Sequence, residues 1–303
     1  MREAGIVIVT HESEAEIGAC LDRAQTSGAE IVVVDNASTD RTCQQVTGRG
    51  VRLITNSENR GFAAAVNQGV RALDTPFVLL LNPDALLETS LGALVESCRE
   101  PGVAAAGGKL VDDAGRPQAG FAIRSLPSPG ALVCEALLIN RWWPRNPINW
   151  HYRCLGFDYS MPGDVEQPAG AFLMIRRDVW QALNGFDERF YPLWFEDVDF
   201  CWRLREKGYR VRYTPGAVAK HTGGHSIAKI SLEKRQFYWY GSLLGFAAKH
   251  YGAGTARMVC AAVFLGSIIR MIAGAVVFRS LAPIAAYGKV MGLSGRTFIR
   301  PSG

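Results

Sequence analysis

Several familiar signatures are missing from this 303-residue chain. It has no G-x-G-x-x-G turn and no G-x-x-x-x-G-K-[ST] loop, so neither a dinucleotide oxidoreductase nor a P-loop NTPase has support. It has no C-x-x-C pair and no zinc-like spacing. Its seven cysteines (20, 43, 98, 134, 154, 201 and 260) are odd in number and scattered, which fits buried thiols in a reducing compartment better than a disulfide framework. The start lacks a basic segment followed by a long apolar run and passes almost directly into Ile6–Val9. On that reading the main domain is expected to face the cytoplasm. No internal repeat or low-complexity segment stands out.

The last quarter lacks acid. From Ile227 to Gly303, Glu233 is the single carboxylate against ten Lys and Arg, whereas residues 1–226 carry 23 basic and 27 acidic side chains. The net charge of +5 therefore divides into a mildly acidic body and a basic, apolar tail. Apolar runs broken by single arginines favour an anionic membrane surface over a nucleic-acid groove. From about residue 228 the tail has helical character. Met258–Phe278 is mostly apolar, interrupted by Arg270, and just reaches the ~20 residues that a spanning helix needs. Because that arginine would sit near the midplane, an interfacial helix or hairpin flanked by Arg257, Arg279 and Lys289 is the preferred expectation. An ordinary core helix is the alternative.

With 48% hydrophobic residues, the body can bury a substantial core. Apolar runs at 5–10, 30–35, 51–55 and 77–82 alternate with helix-like stretches at 13–27, 39–48 and 61–73. That alternation marks βαβ units and a largely parallel sheet with helices on both faces. Ser38 and Thr39, and the polar turn Asn59–Gly61, stand where the second and third helices should be capped. Residues 112–165 break the pattern with six prolines and with Trp142, Trp143 and Trp150. They are expected to be irregular or partly helical, an excursion able to cover a pocket. Beyond them come a strand at 168–176, a helix at Asp178–Leu183 and a turn at Asn184–Gly185. A helix then runs from the acidic stretch 194–199 through Lys207, with short strands at 211–213 and 217–220.

In open α/β sheets, ligands bind where parallel strands end. Thr10-His11, Asp35–Asp40 and Asn82-Pro83-Asp84 fall at such ends. A bound nucleotide needs acceptors for its base and ribose and positive charge for its diphosphate. Asp35 suits the first task, and Asp84 holding a divalent cation suits the second. Asp35 is equally compatible with simply capping the next helix. The helix opening Asn59–Asn67 could attract phosphate through its N-terminus and Arg60, although its small residues also allow close helix–sheet packing. In Trp194–Arg203 three carboxylates crowd among aromatics, which is costly unless they are solvated, paired or catalytic. Asp197 would stand at a helix start, with Asp199 pairing with Arg203 four residues on. His221, after a short strand-like run, could be a second metal ligand beside Asp84, or a surface histidine. His225 has no comparable argument.

Taken in order, these strings resemble family 2 glycosyltransferases of the GT-A fold, especially the bacterial rhamnosyltransferase-like branch. They are Ile6–Thr10, Val33–Asp40, Asn59–Asn67, Leu80–Asp84, Gly170–Arg177, Gly185–Glu188, Phe195–Asp199 and His221-x-x-Gly-x-Ser226. The likeness covers roughly residues 5–226. It implies an α/β, Rossmann-like domain over 1–226, its central sheet mostly parallel and flanked by helices. Residues 227–303 would follow as a basic, apolar helical region that associates with membrane. It further implies Asp197 as general base and Asp35 as a contact to the nucleotide base. Thr10, Asn36, Arg60, Gly61, Asn67, Asn82 and Glu196 would line the donor and substrate site, and Asp84 with His221 would hold Mg²⁺ or Mn²⁺. Asn82 stands where the usual D-x-D has its first aspartate, so metal affinity should be weaker than usual.

The expected activity is inverting transfer of a sugar, L-rhamnose from dTDP-L-rhamnose foremost, from a dTDP- or UDP-sugar donor. The expected acceptor is a lipid-linked or cell-envelope glycan at the cytoplasmic face of the inner membrane, with no nucleic acid as partner. A nucleotidyltransferase would share the sheet and the metal, but Thr10-His11-Glu12-Ser13 lacks the glycine-rich basic loop for a triphosphate. A non-catalytic nucleotide-sugar-binding membrane scaffold is disfavoured by the presence of Asp84, Asp197 and His221.

Overall fold

The computed structural model describes residues 3–223 and 230–299. Its strands are β1 (Ala4–Thr10), β2 (Glu30–Asp35), β3 (Arg52–Thr55), β4 (Phe77–Leu81), β5 (Ala85–Leu87) and β6 (Val103–Val111). They continue with β7 (Ile123–Arg124), β8 (Gly163–Val165), β9 (Gln167–Pro168), β10 (Phe172–Arg176) and β11 (Arg210–His221). The first helices are α1 (Ile17–Gln25), α2 (Thr42–Val46), α3 (Phe62–Arg71), α4 (Gly92–Arg99), α5 (Pro129–Ala136) and α6 (Ile139–Trp142). Then come α7 (Pro147–Tyr152), α8 (Arg177–Ala182), α9 (Glu196–Glu206), α10 (Leu232–His250), α11 (Ala253–Phe278) and α12 (Ala282–Ile299). Two compact units result, one within 1–126, 154–188 and 196–226, the other within 127–153, 189–195 and 227–303. The C-terminal region expected from 227 is thus joined by two segments from earlier in the chain.

The first unit is built on a sheet in the order β3-β2-β1-β4-β10-β6-β11-β5, with β8 also on β11. β3, β2, β1 and β4 run parallel, as do β6 and β11, while β10, β5 and β8 run against them. Most strands therefore point one way in a mixed sheet. Alternate residues of β1 explain its two apolar faces. Ile6 and Ile8 join a core with Ile17 and Leu21 of α1, and Val7 and Val9 join the opposite core with Ala65, Val66 and Val70 of α3. Each fully buried aliphatic or aromatic side chain contributes roughly 1.5–3 kcal/mol. A Cβ on Gly69 of α3 would lie 2.5 Å from Val7 Cγ1, so the small residues after Asn59 do serve close helix–sheet packing.

Several local expectations change. The strand expected at 168–176 is broken into β9 and β10 by a turn at 169–171, closed by Phe172 N–H on the Ala169 carbonyl (3.3 Å). The two strands expected at 211–213 and 217–220 are one strand, β11, with its register shifting between Thr214 and Val218. Pro215 has no N–H to donate there, and an interrupted ladder is the usual outcome. Neither Ser38 nor Thr39 caps α2, whose N-cap is Arg41 without a side-chain bond. The excursion at 112–165 contains α5, α6 and α7, of which α5 and α7 follow Ser-Pro and Asn-Pro. Ser128 Oγ accepts from Ala131 N–H and Asn146 Oδ1 from Asn149 N–H, with proline in the first turn where its missing N–H costs nothing.

In the second unit α10, α11 and α12 pack together, and α5 lies against α11. Arg270 Nη2 donates to the Glu135 carbonyl (2.9 Å) and Nη1 to that of Ala136, at the C-terminal end of α5. A cation there meets the negative end of the helix dipole and bonds its terminal carbonyls. One turn earlier, a Cβ on Gly266 would fall 1.9 Å from the Ala136 oxygen, so the glycine is what lets α5 approach. The arginine that interrupts the apolar stretch is therefore bonded within the protein. Among the described residues, Ala253–Val277 is long and apolar enough to cross a membrane, with a third of its most apolar window buried.

Candidate active site

Chemistry gathers at the ends of β1, β2, β4 and β11. Parallel pairing places Thr10 opposite Asp35, and Thr10 Oγ1 donates to Asp35 Oδ1 at 2.8 Å. Ser38 adds a hydroxyl (2.6 Å) and an N–H (2.9 Å) to the same carboxylate. Asp35, nearly fully buried, thus braces the turn at 36–38 rather than capping α2. The neighbouring Asn36 is equally buried. Its Nδ2 donates to the Gly61 carbonyl (3.1 Å), and its Oδ1 accepts from Asn56 Nδ2 (2.9 Å) and Arg60 N–H (3.4 Å). Thr10, Asp35, Asn36, Arg60 and Gly61 therefore form one network, with the Arg60 side chain exposed beside it.

Asn67 is not part of that network. It is buried in α3, with Nδ2 donating to the Phe186 carbonyl (2.9 Å) and Glu188 Oε1 (3.0 Å) and Oδ1 accepting from Phe186 N–H (2.9 Å). These bonds fix the 186–188 turn to α3.

Antiparallel pairing of β5 with β11 sets His221 opposite Ala85, which brings it beside Asp84. His221 Nε2 lies 3.3 Å from Asp84 Oδ1, and both side chains are almost wholly covered. The ring is held twice more. Nδ1 meets Gln118 Oε1 at 3.0 Å, and Phe121 stacks on the ring at 5.3 Å with 7° between planes. Gln118 Oε1 can only accept, so Nδ1 carries the proton and Nε2 is the ring nitrogen turned to Asp84. Two acceptors facing each other at 3.3 Å call for a proton or a cation between or beside them, and an imidazole with a carboxylate suits Mg²⁺ or Mn²⁺. Among the described residues no group of three or more His, Cys, Asp or Glu is placed to hold a metal. A cation here would complete its shell with donor oxygens and water. Ser226 and His225 lie outside the described residues.

The base candidate heads α9. Asp197 Oδ2 accepts from Gly170 N–H (3.0 Å) and Gln167 Nε2 (3.1 Å), and Oδ1 accepts from Val198 N–H (2.8 Å). Burial raises its pKa above the usual carboxylate value, while the Gly170 and Val198 N–H groups and the charge of Arg124 pull it down. The residue keeps part of its surface open. A Cβ on Gly170 would stand 3.2 Å from Asp197 Cβ, so glycine permits this approach. The break between β9 and β10 is what presents the Gly170 N–H. The next residue, Ala171, accepts from Asn82 N–H at 3.0 Å. Residues 170–171 thereby join the Asn82–Asp84 loop to Asp197.

The remaining carboxylates of α9 divide as expected for one of them. Asp199 is fully buried and pairs with Arg203 Nε at 2.8 Å; the same guanidinium donates to the Leu183 and Gly185 carbonyls (2.7 and 2.8 Å). Glu196 is also buried, and its Oε2 has no hydrogen-bond partner among the described residues. Burial, then the charges of Asp197 and Asp199, push its pKa well above the ordinary range. Gln118, Phe121, Arg124 and Gln167 were not visible as site residues in the sequence. They stand 103, 100, 73 and 30 positions from the groups they serve, in the proline-rich stretch and at its edge, with no local pattern to mark them.

A mostly parallel sheet flanked by helices, with carboxylates gathered at its strand ends, is the architecture of the GT-A fold. Solved structures share the fold. A mannosyltransferase from Pyrobaculum calidifontis, in complex with GDP-Man and Mn²⁺, superposes over 100% of this chain and 89% of its own (TM-score 0.54, 16% identity). GalNAc-T7 with UDP, GalNAc and Mn²⁺ covers 74% of this chain and 44% of its own (TM-score 0.52, 13% identity). The family model described as Glycosyl transferase family 2 matches residues 5–160, and that of Glycosyl transferase family group 2 matches 143–294. The chain belongs to glycosyl transferase family 2. Its relatives include the N-acetylglucosaminyl-diphospho-decaprenol L-rhamnosyltransferase of Mycobacterium tuberculosis, 29% identical over 77% of this chain and 80% of that protein. Another is rhamnosyltransferase WbbL of Escherichia coli K12, 26% identical over 78% and 88%.

Proposed function

We propose that this glycosyltransferase moves L-rhamnose from dTDP-L-rhamnose, or a related dTDP- or UDP-sugar, to a lipid-linked or cell-envelope glycan, inverting the anomeric centre. The work would be done at the cytoplasmic face of the inner membrane. The names of the Mycobacterium tuberculosis and Escherichia coli relatives support rhamnose, and the former supports a lipid-diphosphate-linked acceptor. The observation that carries the mechanism is Asp197, held on both oxygens by N–H donors and joined through 170–171 to the Asp84 loop.

Asp197 takes the proton from the acceptor hydroxyl as that oxygen attacks the anomeric carbon opposite the diphosphate. Its raised pKa makes it a stronger base than a free carboxylate. Asp84 and His221 would hold a divalent cation, which when bound neutralises charge on the departing diphosphate. The Thr10–Asp35–Asn36 network shapes the nucleotide end, with the exposed Arg60 able to add positive charge. One in-line displacement inverts the configuration.

The test is transfer by Asp197→Asn, scored with nucleotide-sugar binding by thermal shift over dTDP-, UDP- and GDP-sugars with Mg²⁺. Transfer should fall at least ~10²-fold with donor binding nearly unchanged. Full turnover by the variant, or a product that retains configuration, would remove Asp197 from this role.

A further inference from the structure

The segment 137–157 carries no carboxylate, yet it holds Arg141, Arg145 and Arg153 and the tryptophans at 142, 143 and 150. Exposed tryptophans are ordinarily a liability in a water-facing surface. Here Trp142 is 84% exposed, Trp143 59% and Trp150 44%, with Ile148 at 42%. They are not the by-product of a loose loop. Asn146 Nδ2 donates to Asn140 Oδ1 (3.0 Å) and the Trp143 carbonyl (2.7 Å), and Asn149 Nδ2 donates to the Pro144 carbonyl (2.6 Å). Buried asparagines hold α6 and α7 around a fixed turn, and the aromatics face outward from it. Arg141 and Arg145 are exposed on the same turn, while Arg153 is engaged by Glu135 at 3.4 Å.

The same unit carries α11, whose Ile272, Val276 and Val277 are exposed, and α5, at the root of this turn, is bonded to α11 through Arg270. Aromatic rings beside cations, in the unit that also carries an exposed apolar helix, match the chemistry of a bilayer's headgroup zone, where tryptophan sits and anionic lipids attract arginine. We infer that residues 139–150 are a second membrane anchor, a tryptophan wedge that enters the headgroup layer of an anionic bilayer. This rests on the membrane-surface reading of the tail and adds to it an element from the middle of the chain.

The full chain is floated with vesicles of phosphatidylcholine alone and of equal parts phosphatidylcholine and phosphatidylglycerol. Wild type should bind the mixed vesicles. Trp142→Ala/Trp143→Ala should bind roughly tenfold more weakly or worse. Arg141→Gln/Arg145→Gln should lose roughly 20-fold on mixed vesicles and change little on phosphatidylcholine. Brominated lipid should quench wild-type tryptophan emission, and much of that quenching should vanish in the double tryptophan variant. If both turn variants bind like wild type while Ile272→Asp/Val276→Asp does not, the tail reading stands and this inference falls. If wild type binds neither vesicle, both fall. Self-association that depends on Trp142 and Trp143, without vesicle binding, would assign the surface to a second copy and overturn the lipid assignment.

Discussion

Burial raises the pKa of two neighbouring carboxylates on α9, with different consequences for pH. Glu196 is buried with an unbonded oxygen and a raised pKa. Its neutral form is the one that the fold favours, so that contribution is fully present below the unfolded value near ~4.3. It is lost as pH rises through the folded value. Glu196→Gln mimics the neutral form, and should raise the melting temperature at pH 8 by about 2–4 °C, the shift from roughly 1 kcal/mol in a chain of this size. At pH 4 melts of the two proteins should coincide. Asp197 is governed by the same burial but is partly relieved by Arg124. Removing that charge in Arg124→Gln should raise the Asp197 pKa further, moving the acid limb of kcat/KM to higher pH while the alkaline limb stays. Asp197 could be read in the sequence because three carboxylates among aromatics invite a reason. Gln167 and Gly170, which hold it, could not, since a glutamine and a glycine about 30 residues away carry no pattern linking them to α9.

At the scale of elements, periodicity revealed the β-branched strands and missed those built of small residues. β1, β2 and β4 stand out by their Val, Ile and Leu content. β6 reads Val-Ala-Ala-Ala-Gly-Gly-Lys-Leu-Val, a composition with weak strand propensity. It is a strand because its neighbours need the room. A Cβ on Gly107 would lie 2.3 Å from Pro168 Cβ, and one on Gly108 2.1 Å from the Phe172 ring. The same logic acts in α11. Gly266→Ala places a methyl inside the Ala136 carbonyl, so the helix must part from α5. The expected loss is about 1–3 kcal/mol or more, read as a lower urea midpoint with an unchanged slope.

For the whole molecule, the sequence suggested a catalytic body and a tail cut near 226, because charge and hydropathy change there. Packing divides the chain differently, drawing 127–153 and 189–195 into the unit that holds the tail. Proline and tryptophan content marked the first of these segments as unusual without saying what it packs on. A chain ending at 226 would therefore leave α5–α7 without α11. Trypsin should cut it at Arg141, Arg145 or Arg153 roughly tenfold faster than the full chain, by mass spectrometry of timed digests, because those backbones lose their buried contacts. Equal rates would mean that the segment holds itself together. The bonds of Arg270 to α5 have one more consequence. A lone arginine near mid-bilayer costs ~2.5–3.5 kcal/mol by insertion scales, and two charge-assisted bonds to carbonyls return a comparable ~3–6 kcal/mol. Sliding α11 by a single turn, ~5.4 Å, would forfeit both bonds and carry Gly266 out of its notch. The helix consequently cannot creep along α5 by small steps. Were α11 to meet a bilayer, its depth would be set by α5, and the lipid would have to do the adjusting.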